Sequence, residues 1–334
     1  MKKLYLFLSI AVVTFLSSCG SVELLRFEQL KPAEISFPDE LKNVAIVNNM
    51  PKEEHGKLAY LRNTAKEFEG DGASFMQELA DVLAEGNYFN KVVVCDSLLY
   101  VLEEDDAPQY HVLKAPQVRQ LLGDLDSDMI ISVDRLYVRT GIGQVWDNYY
   151  GMPFDAVNAS YAALVHLYVP TRDKAFMQVT DRDTLQFELD LTLSDAIIAK
   201  ETSEYAGMRI ANKLVPYWSE VQRIYYDGGL AEFRDAGVAL RENDLEEAGR
   251  LWSKLYEKKK GKNKMHAAFN MALYCEMTDQ MDKAVEWLDK AKALVGETNV
   301  GDKNTITFYQ AALQKRMQEL NKLKMQMDRF KGRE

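Results

Sequence analysis

The fold of this chain is decided by the run Met129-Ile130-Ile131-Ser132-Val133-Asp134-Arg135-Leu136-Tyr137-Val138. Its β-branched, aliphatic and aromatic residues predict the clearest strand in the sequence. Two shorter apolar runs precede it, Val44-Ala45-Ile46-Val47 and Val92-Val93-Val94-Cys95, and each predicts a buried strand. Between these runs apolar residues recur at helical spacing, so helices and strands alternate in this part of the chain.

The region after this strand continues the sheet. Residues 161–169 form an apolar run, and residues 185–193 alternate Leu or Phe with polar side chains. Two such segments predict neighbouring antiparallel strands. We therefore expect residues 41–203 to form an α+β domain, a mixed sheet with flanking helices. Residues 19–40 contain two prolines and no sustained period, which predicts a tether ahead of that domain.

A repeat with a period of thirty-six residues follows the glycine-rich break at residues 227–229. Its small and apolar positions are Ala236, Ala248 and Leu255 in the first copy and Ala272, Ala284 and Ala291 in the second. Residues 204–226 also show a helical period, in which Pro216 is the first residue of a second helix or a kink. A long helix with an apolar stripe ends the chain.

The spacing of these small residues resembles the tetratricopeptide repeat, whose antiparallel helix pairs cross closely. The resemblance implies an all-α, tetratricopeptide-like helical domain, which we place at residues 204–334. Two unrelated helical hairpins are the alternative.

Residues 1–18 have the parts of an export signal. Two lysines precede an apolar segment, residues 4–15, which is too short to span a bilayer because a spanning helix needs about 20 residues. The segment Leu16-Ser17-Ser18-Cys19-Gly20 resembles the lipobox of bacterial lipoproteins. That likeness implies that Cys19 carries a diacylglycerol and a further acyl chain such as palmitate, and two or more chains give stable anchoring. An ordinary secretory signal with a chance cysteine is the alternative.

Two further resemblances concern the cell envelope. The segment Gly86-Asn87-Tyr88-Phe89-Asn90-Lys91-Val92, after a strand and a helix, resembles the small α/β domains of TolB- and CsgG-type envelope proteins. The lipobox, this domain and the repeats together are similar to an uncharacterised family of tetratricopeptide-containing lipoproteins from Gram-negative bacteria. These likenesses imply a binding or assembly module and supply no catalytic residue. By resemblance to the enterobacterial sorting rule, Gly20 implies the outer membrane.

Composition and motifs argue against several classes of function. The net charge of −10 excludes nucleic-acid binding by general electrostatics. The four histidines (His55, His111, His166 and His266) are scattered singly, and no pair has the i, i+4 spacing that offers two ligands to one metal. Neither a Gly-x-Ser-x-Gly elbow nor a phosphate loop occurs. The sequence therefore predicts no catalytic residue, no metal site and no cofactor. A hydrolase whose residues meet only in the folded chain is the alternative.

One candidate site is a groove on the repeats. In the tetratricopeptide register, Phe233 and Phe269 occupy equivalent positions facing the concave side. The candidate partner-binding residues are Phe233, Leu240, Arg241, His266, Phe269 and Glu276. Large apolar side chains joined by charges suit an extended peptide or an amphipathic helix. If the final helix or the N-terminal domain covers the groove, both rings are core residues instead.

A second candidate site is the loop at residues 146–154. Its possible ligand residues are Trp146, Tyr149, Tyr150 and Phe154. Rings beside Asp147 and Asn148 suit stacking on a sugar, although we favour rings that plug the open end of the sheet as a small core. The chain is thus predicted to be a lipid-anchored, non-enzymatic interaction or assembly module of the cell envelope, binding an envelope protein or peptide. Carbohydrate binding through this loop is the alternative.

Overall fold

The computed structural model describes residues 22–51, 65–95, 112–147, 151–189 and 192–330. The predicted signal segment, Cys19, Tyr149 and Tyr150 lie outside these ranges. The described residues form two compact units, a sheet unit within residues 32–217 that also includes residues 325–330, and a helical unit of residues 218–324 that also includes residues 22–31. The predicted α+β class, a mixed sheet followed by a run of helices, is confirmed.

The sheet unit contains six strands and three α-helices among the residues described. They are β2 (Asn43–Asn48), β3 (Lys66–Glu69), α1 (Gly72–Glu85), β4 (Lys91–Cys95), α2 (Ala115–Asp124), β5 (Met129–Asp147), β6 (Met152–Tyr168), β7 (Met177–Glu188) and α3 (Asp195–Leu214). The order in the sheet is β4-β2-β5-β6-β7, and β3 also pairs with β5. Strand β2 is parallel to β4 and β5, whereas the β5-β6-β7 meander is antiparallel, as predicted for its last two strands.

The inner face of the sheet carries the main core. Leu136, Val138 and Val165 of the sheet belong to the same buried cluster as Phe75 and Leu79 of α1. Helix α3 adds further apolar residues, Ile198, Ala206 and Ile210. The two helices approach closely at Gly207, where an added Cβ would lie 2.6 Å from the backbone oxygen of Phe75. A side chain there would force the helices apart.

Helix α2 covers part of the outer face of the sheet. Val118 and Leu122 of α2 pack with Ala45, Val47, Ile130 and Tyr168 in a smaller cluster. Between Asn158 and Leu164 of β6, and along β7, the residues that alternate with the core positions are half-buried or exposed. The meander therefore presents an open, mostly polar surface, as antiparallel sheets commonly do.

The helical unit contains two strands and five helices among the residues described. They are β1 (Val22–Lys31), β8 (Tyr217–Tyr226), α4 (Ala231–Arg241), α5 (Leu245–Lys258), α6 (Gly261–Met277), α7 (Met281–Leu294) and α8 (Val300–Met327), whose last residues belong to the sheet unit. Strands β1 and β8 form a two-stranded sheet. The repeat's small residues, Ala236, Ala248, Ala272, Ala284 and Ala291, are fully buried. Within the described ranges, no helix is long and apolar enough to cross a membrane.

Two expectations about local structure are wrong. The predicted helix at residues 204–226 ends at Leu214, and residues 217–226 form β8. Val215 is extended because a following proline disfavours the helical region, and Pro216 has no N–H to continue the helix. The predicted tether at residues 19–40 contains β1, which pairs with β8. The division between the units accordingly falls at Tyr217 rather than at residue 204.

Candidate functional site

The predicted partner groove is filled by the chain itself. Phe233 and Phe269 have no exposed surface, and Leu240 is also buried. Tyr226 of β8 lies edge-on to the Phe269 ring, with centroids 5.2 Å apart, and Tyr309 of α8 approaches the same ring at 5.1 Å. The rings are therefore core residues, and the prediction that they form a peptide-binding surface is corrected. The final helix α8 covers the rings, as in the alternative given above, and strand β8 covers them as well.

Glu276 and Arg241 have structural partners. The Glu276 carboxylate is buried and accepts hydrogen bonds from both Nε and Nη2 of Arg223, at 2.9 and 2.7 Å. Arg241 remains half exposed but donates to the Tyr225 hydroxyl and the Asp227 carboxylate, at 2.7 and 3.1 Å. Both charges thus have partners within the helical unit.

His266 is enclosed by aromatic rings. The Tyr226 ring stacks on it with centroids 3.6 Å apart, and Phe233 lies edge-on at 6.2 Å. Burial lowers the pKa of His266 to about 4, against the opposing influence of Asp302. Its Nε2 lies 3.8 Å from the Asp302 carboxylate, too far for a hydrogen bond. The imidazole is therefore neutral near pH 7 and packs as part of the core.

The described residues on both sides of the aromatic segment belong to two paired antiparallel strands. Strand β5 continues to Asp147 and β6 begins at Met152, so residues 146–147 and 152–154 of the predicted loop are strand. Trp146 is 62% exposed, Met152 59% and Phe154 38%. The expectation that these rings plug the sheet is therefore wrong for Trp146 and Phe154.

This hairpin extends beyond its neighbours in the sheet. The pairing of β7 with β6 stops at Ala156, and that of β3 with β5 stops at Thr140. The last four pairs, between residues 144–147 and 152–155, are hydrogen-bonded only to each other within the described sheet, and we call them the arm. Trp146 faces one side of the arm and Phe154 the other, because their positions alternate along the ladder. A two-stranded ribbon has no core of its own in which to bury them.

A buried polar network lies at a bulge in β5 that the sequence did not reveal. Asp134 sits where the register shifts between Val133 and Arg135, and it has no exposed surface. Its carboxylate accepts hydrogen bonds from Asn49 Nδ2 at 2.7 Å and Ser132 Oγ at 2.8 Å, and lies 2.7 Å from Nδ1 of His166. His166 is thus a buried member of this hydrogen-bonded network.

This network contains the histidine and carboxylate of a catalytic triad, but its hydrogen bonds do not connect the serine to the histidine. Hydrolases orient a histidine base with a buried carboxylate, and the base then contacts the nucleophile. Here the Ser132 hydroxyl donates to Asp134 rather than to the histidine. The side chains around Asp134 therefore satisfy its buried carboxylate at the bulge, and Ser132 is not placed as the nucleophile of a triad. Across the described ranges, no three His, Cys, Asp or Glu side chains converge as metal ligands.

Comparisons with known proteins give families without an assigned function. A family model described as "Domain of unknown function (DUF8603)" matches residues 41–226, and the chain belongs to this family. A second model, "Domain of unknown function (DUF6340)", matches residues 234–315. No curated protein matches.

Solved structures show only a weak likeness. A PelC dodecamer from Paraburkholderia phytofirmans is 10% identical, with a TM-score of 0.26, covering 58% of this chain and 99% of that one. The hypothetical protein CT253 from Chlamydia trachomatis is 12% identical, with a TM-score of 0.23, covering 52% and 93%. Neither likeness supports a function.

Proposed function

We propose that this member of the DUF8603 family is a lipid-anchored protein of the bacterial envelope that binds a partner protein and has no catalytic role. The exposed apolar side chains at the end of the arm support this proposal. The lipobox-like segment at Cys19 supports attachment to a membrane, and the arm is the surface that would bind the partner.

The arm has the properties of an interface anchor. A buried aromatic side chain removes 150–250 Å² from water, on the order of several kcal/mol of favourable transfer free energy. Trp146, Met152 and Phe154 leave much of that area exposed, and the only residue opposite Trp146 on the other strand is Pro153. Tryptophan and other aromatic residues dominate the binding energy of many protein interfaces. A partner that covers the arm would gain this energy without any rearrangement of the sheet.

Carbohydrate binding is the second candidate function, and the exposed ring of Trp146 favours it as well. Trp146 offers an open ring, and Gln144 and Asp155 on the same face of the arm are hydrogen-bonded to each other at 3.5 Å. A ring face with amide and carboxylate groups nearby is the chemistry that holds a sugar. A glycan array with the wild-type chain and its Trp146→Ser variant separates the two candidates, since binding that is lost in the variant indicates a glycan.

Lipid anchoring predicts that Cys19→Ala moves the chain out of the membrane fraction. Without the thiol no diacylglycerol is attached, and the acyl chains are the attachment that the sequence predicts. The measurement is fractionation of cells followed by a high-salt wash, with Cys95→Ala as the matched cysteine control. Retention of Cys19→Ala in washed membranes, at the level of the control, would contradict the proposed anchor.

Partner binding through the arm predicts position-dependent crosslinking in intact cells. A photoreactive phenylalanine at position 146 or 154 should give a discrete protein adduct, whereas position 308 should not. Phe308 is an apt control because it is a 77% exposed aromatic residue in the helical unit.

The accompanying substitutions test whether the adduct reflects binding. A photoreactive phenylalanine at position 152, also on the arm, should give the same adduct, and adding Trp146→Ser with Phe154→Ser to that chain should abolish it. The two substitutions should change the unfolding free energy by no more than about 0.5 kcal/mol per site. Equal adducts from positions 152 and 308, or an adduct from position 152 that survives the double substitution, would refute the arm as the binding element.

A further inference from the structure

The outer face of the meander contains a second feature, a shallow trough. Its volume is about 530 Å³, within the range of small-molecule sites, and it lies across β5, β6 and β7. The side chains that matter for its chemistry are Arg135, Tyr137, Leu164, Gln178, Thr180 and Arg182. This trough is separate from the arm and from the buried Asp134 network.

The strand register explains why these side chains meet. Arg135 pairs with Leu164, which pairs with Thr180, and one row further along Tyr137 and Arg182 flank Ala162. Residues paired across antiparallel strands point to the same face. The two arginines therefore stand on the outer strands of the three. They are about 10 Å apart across the strands and about 7 Å apart along them, or about 12 Å in all. The small Ala162 and the half-buried Leu164 between them form an apolar floor.

The charge of the trough is only partly balanced. Arg135 donates from Nε to Glu69 at 2.8 Å and lies over the Tyr137 ring at 5.5 Å, but its terminal amino groups form no other hydrogen bond with described residues. Arg182 forms neither a hydrogen bond nor an ion pair with any residue in the described ranges. Its neighbours Asp181 and Asp183 point to the inner face, where Asp181 binds Arg209 and Lys213.

We propose that this trough binds a small anionic molecule that carries an apolar or ring portion. Its carboxylate or phosphate pairs with Arg182 and the free edge of Arg135, while the ring lies on Leu164 and against Tyr137. Arginine favours such anions because its planar donors match their oxygens. Thr180 and Gln178 add neutral hydrogen-bonding groups at the rim. The chain has a net charge of −10, so an anion needs a local cation such as Arg182 to bind to its surface.

The test uses simple probes and the full-length chain in detergent. Phenyl phosphate and benzoate represent the two anionic groups with a ring, benzyl alcohol has the ring without the charge, and inorganic phosphate has the charge without the ring. Binding is followed by isothermal titration calorimetry and by ligand-detected magnetic resonance. We expect at least one of the two ring-bearing anions to bind more tightly than benzyl alcohol and inorganic phosphate, each by about tenfold or more.

Two matched pairs of variants locate the binding. Arg182→Gln should weaken the anion by about tenfold or more, while Arg172→Gln, an exposed arginine outside the trough, should not. Thr180→Glu should abolish binding by placing a negative charge beside Arg182 and opposite Arg135, while Gln186→Glu, which adds the same charge on the same exposed face four residues beyond Arg182, should leave most of it. Thermal melts establish that all four variants are folded.

Several results would overturn the proposal. Equal binding by Arg182→Gln and Arg172→Gln would place the anion elsewhere. Equal binding of benzyl alcohol would show that charge has no role, and tighter or equal binding of inorganic phosphate would show an anion site without a ring subsite. Absence of binding by both ring-bearing anions at millimolar concentration would exclude the site. None of these results affects the arm.

Discussion

Phe269→Ala is expected to lower the free energy of unfolding by about 3–5 kcal/mol, as for other buried phenylalanines truncated to alanine. The ring has no exposed surface, and Tyr226 and Tyr309 contact it from two different elements. Removing it leaves a cavity between β8, α6 and α8 that these aromatic neighbours cannot refill without leaving their own hydrogen bonds to Asp302 and Glu276. Phe233→Ala, equally buried one repeat earlier, should behave alike.

The matched control is Phe308→Ala on α8, whose ring is 77% exposed. That substitution should change the unfolding free energy by no more than about 0.5 kcal/mol. Urea denaturation followed by circular dichroism measures all three variants. If Phe269→Ala unfolds at the same urea concentration as Phe308→Ala, the ring is not a core residue, and a peptide groove on the repeats becomes tenable again.

The helical unit shows what the repeat pattern predicts and what it leaves out. The spacing of Ala236, Ala248, Ala272 and Ala284 identified the buried positions correctly, because close helix crossings admit only small side chains. The same pattern carries no information about what covers the concave side. Strand β8 is part of what covers the concave side, and its ten residues lie in a segment whose period predicts helix. Exposed and covered positions alternate along β8, but its Ile224, Tyr225 and Tyr226 break that alternation at the end.

The sheet unit shows a similar limit. Apolar runs predicted β2, β4 and the first half of β5, because buried parallel strands are continuously apolar. The second half of β5 contains Gly141 and Gly143, which indicate a turn when read alone. In the structure Gly143 lies in strand opposite Ala156, and an added Cβ would come within 2.4 Å of the Asn158 side chain. Glycine here reflects a close approach and not a turn, which only the paired strand reveals.

Neither the arm nor the trough was predictable from one sequence. The aromatic residues of the arm were found, but their exposure depends on where β3 and β7 stop pairing. The trough joins Arg135 to Arg182, forty-seven positions apart in the sequence numbering, through two strand registers and a bulge. A one-residue change of register would turn either arginine to the opposite face.

Glu276→Ala is expected to cost about 3–5 kcal/mol of unfolding free energy, the range for breaking a buried ion pair by removing one partner. The carboxylate side chain has no exposed surface, and that of Arg223 is 13% exposed. Besides Arg223, Gln29 Nε2 donates to it at 3.0 Å and the Tyr309 hydroxyl at 2.8 Å. Burial and the nearby Glu276 carboxylate raise the pKa of Tyr309, so its hydroxyl stays protonated and donates. Truncation leaves all three donors without their acceptor.

Glu286→Ala removes the same charge from an exposed position on α7, and it should change stability by no more than about 0.5 kcal/mol. The decisive comparison adds Arg223→Leu to Glu276→Leu. Replacing both members of a buried pair by apolar residues is often close to neutral, whereas leaving an unpaired guanidinium is costly. The double substitution should therefore recover a measurable part of the stability lost in Glu276→Leu alone. If the double variant is less stable than Glu276→Leu, the cost of that single substitution does not come from the unpaired Arg223.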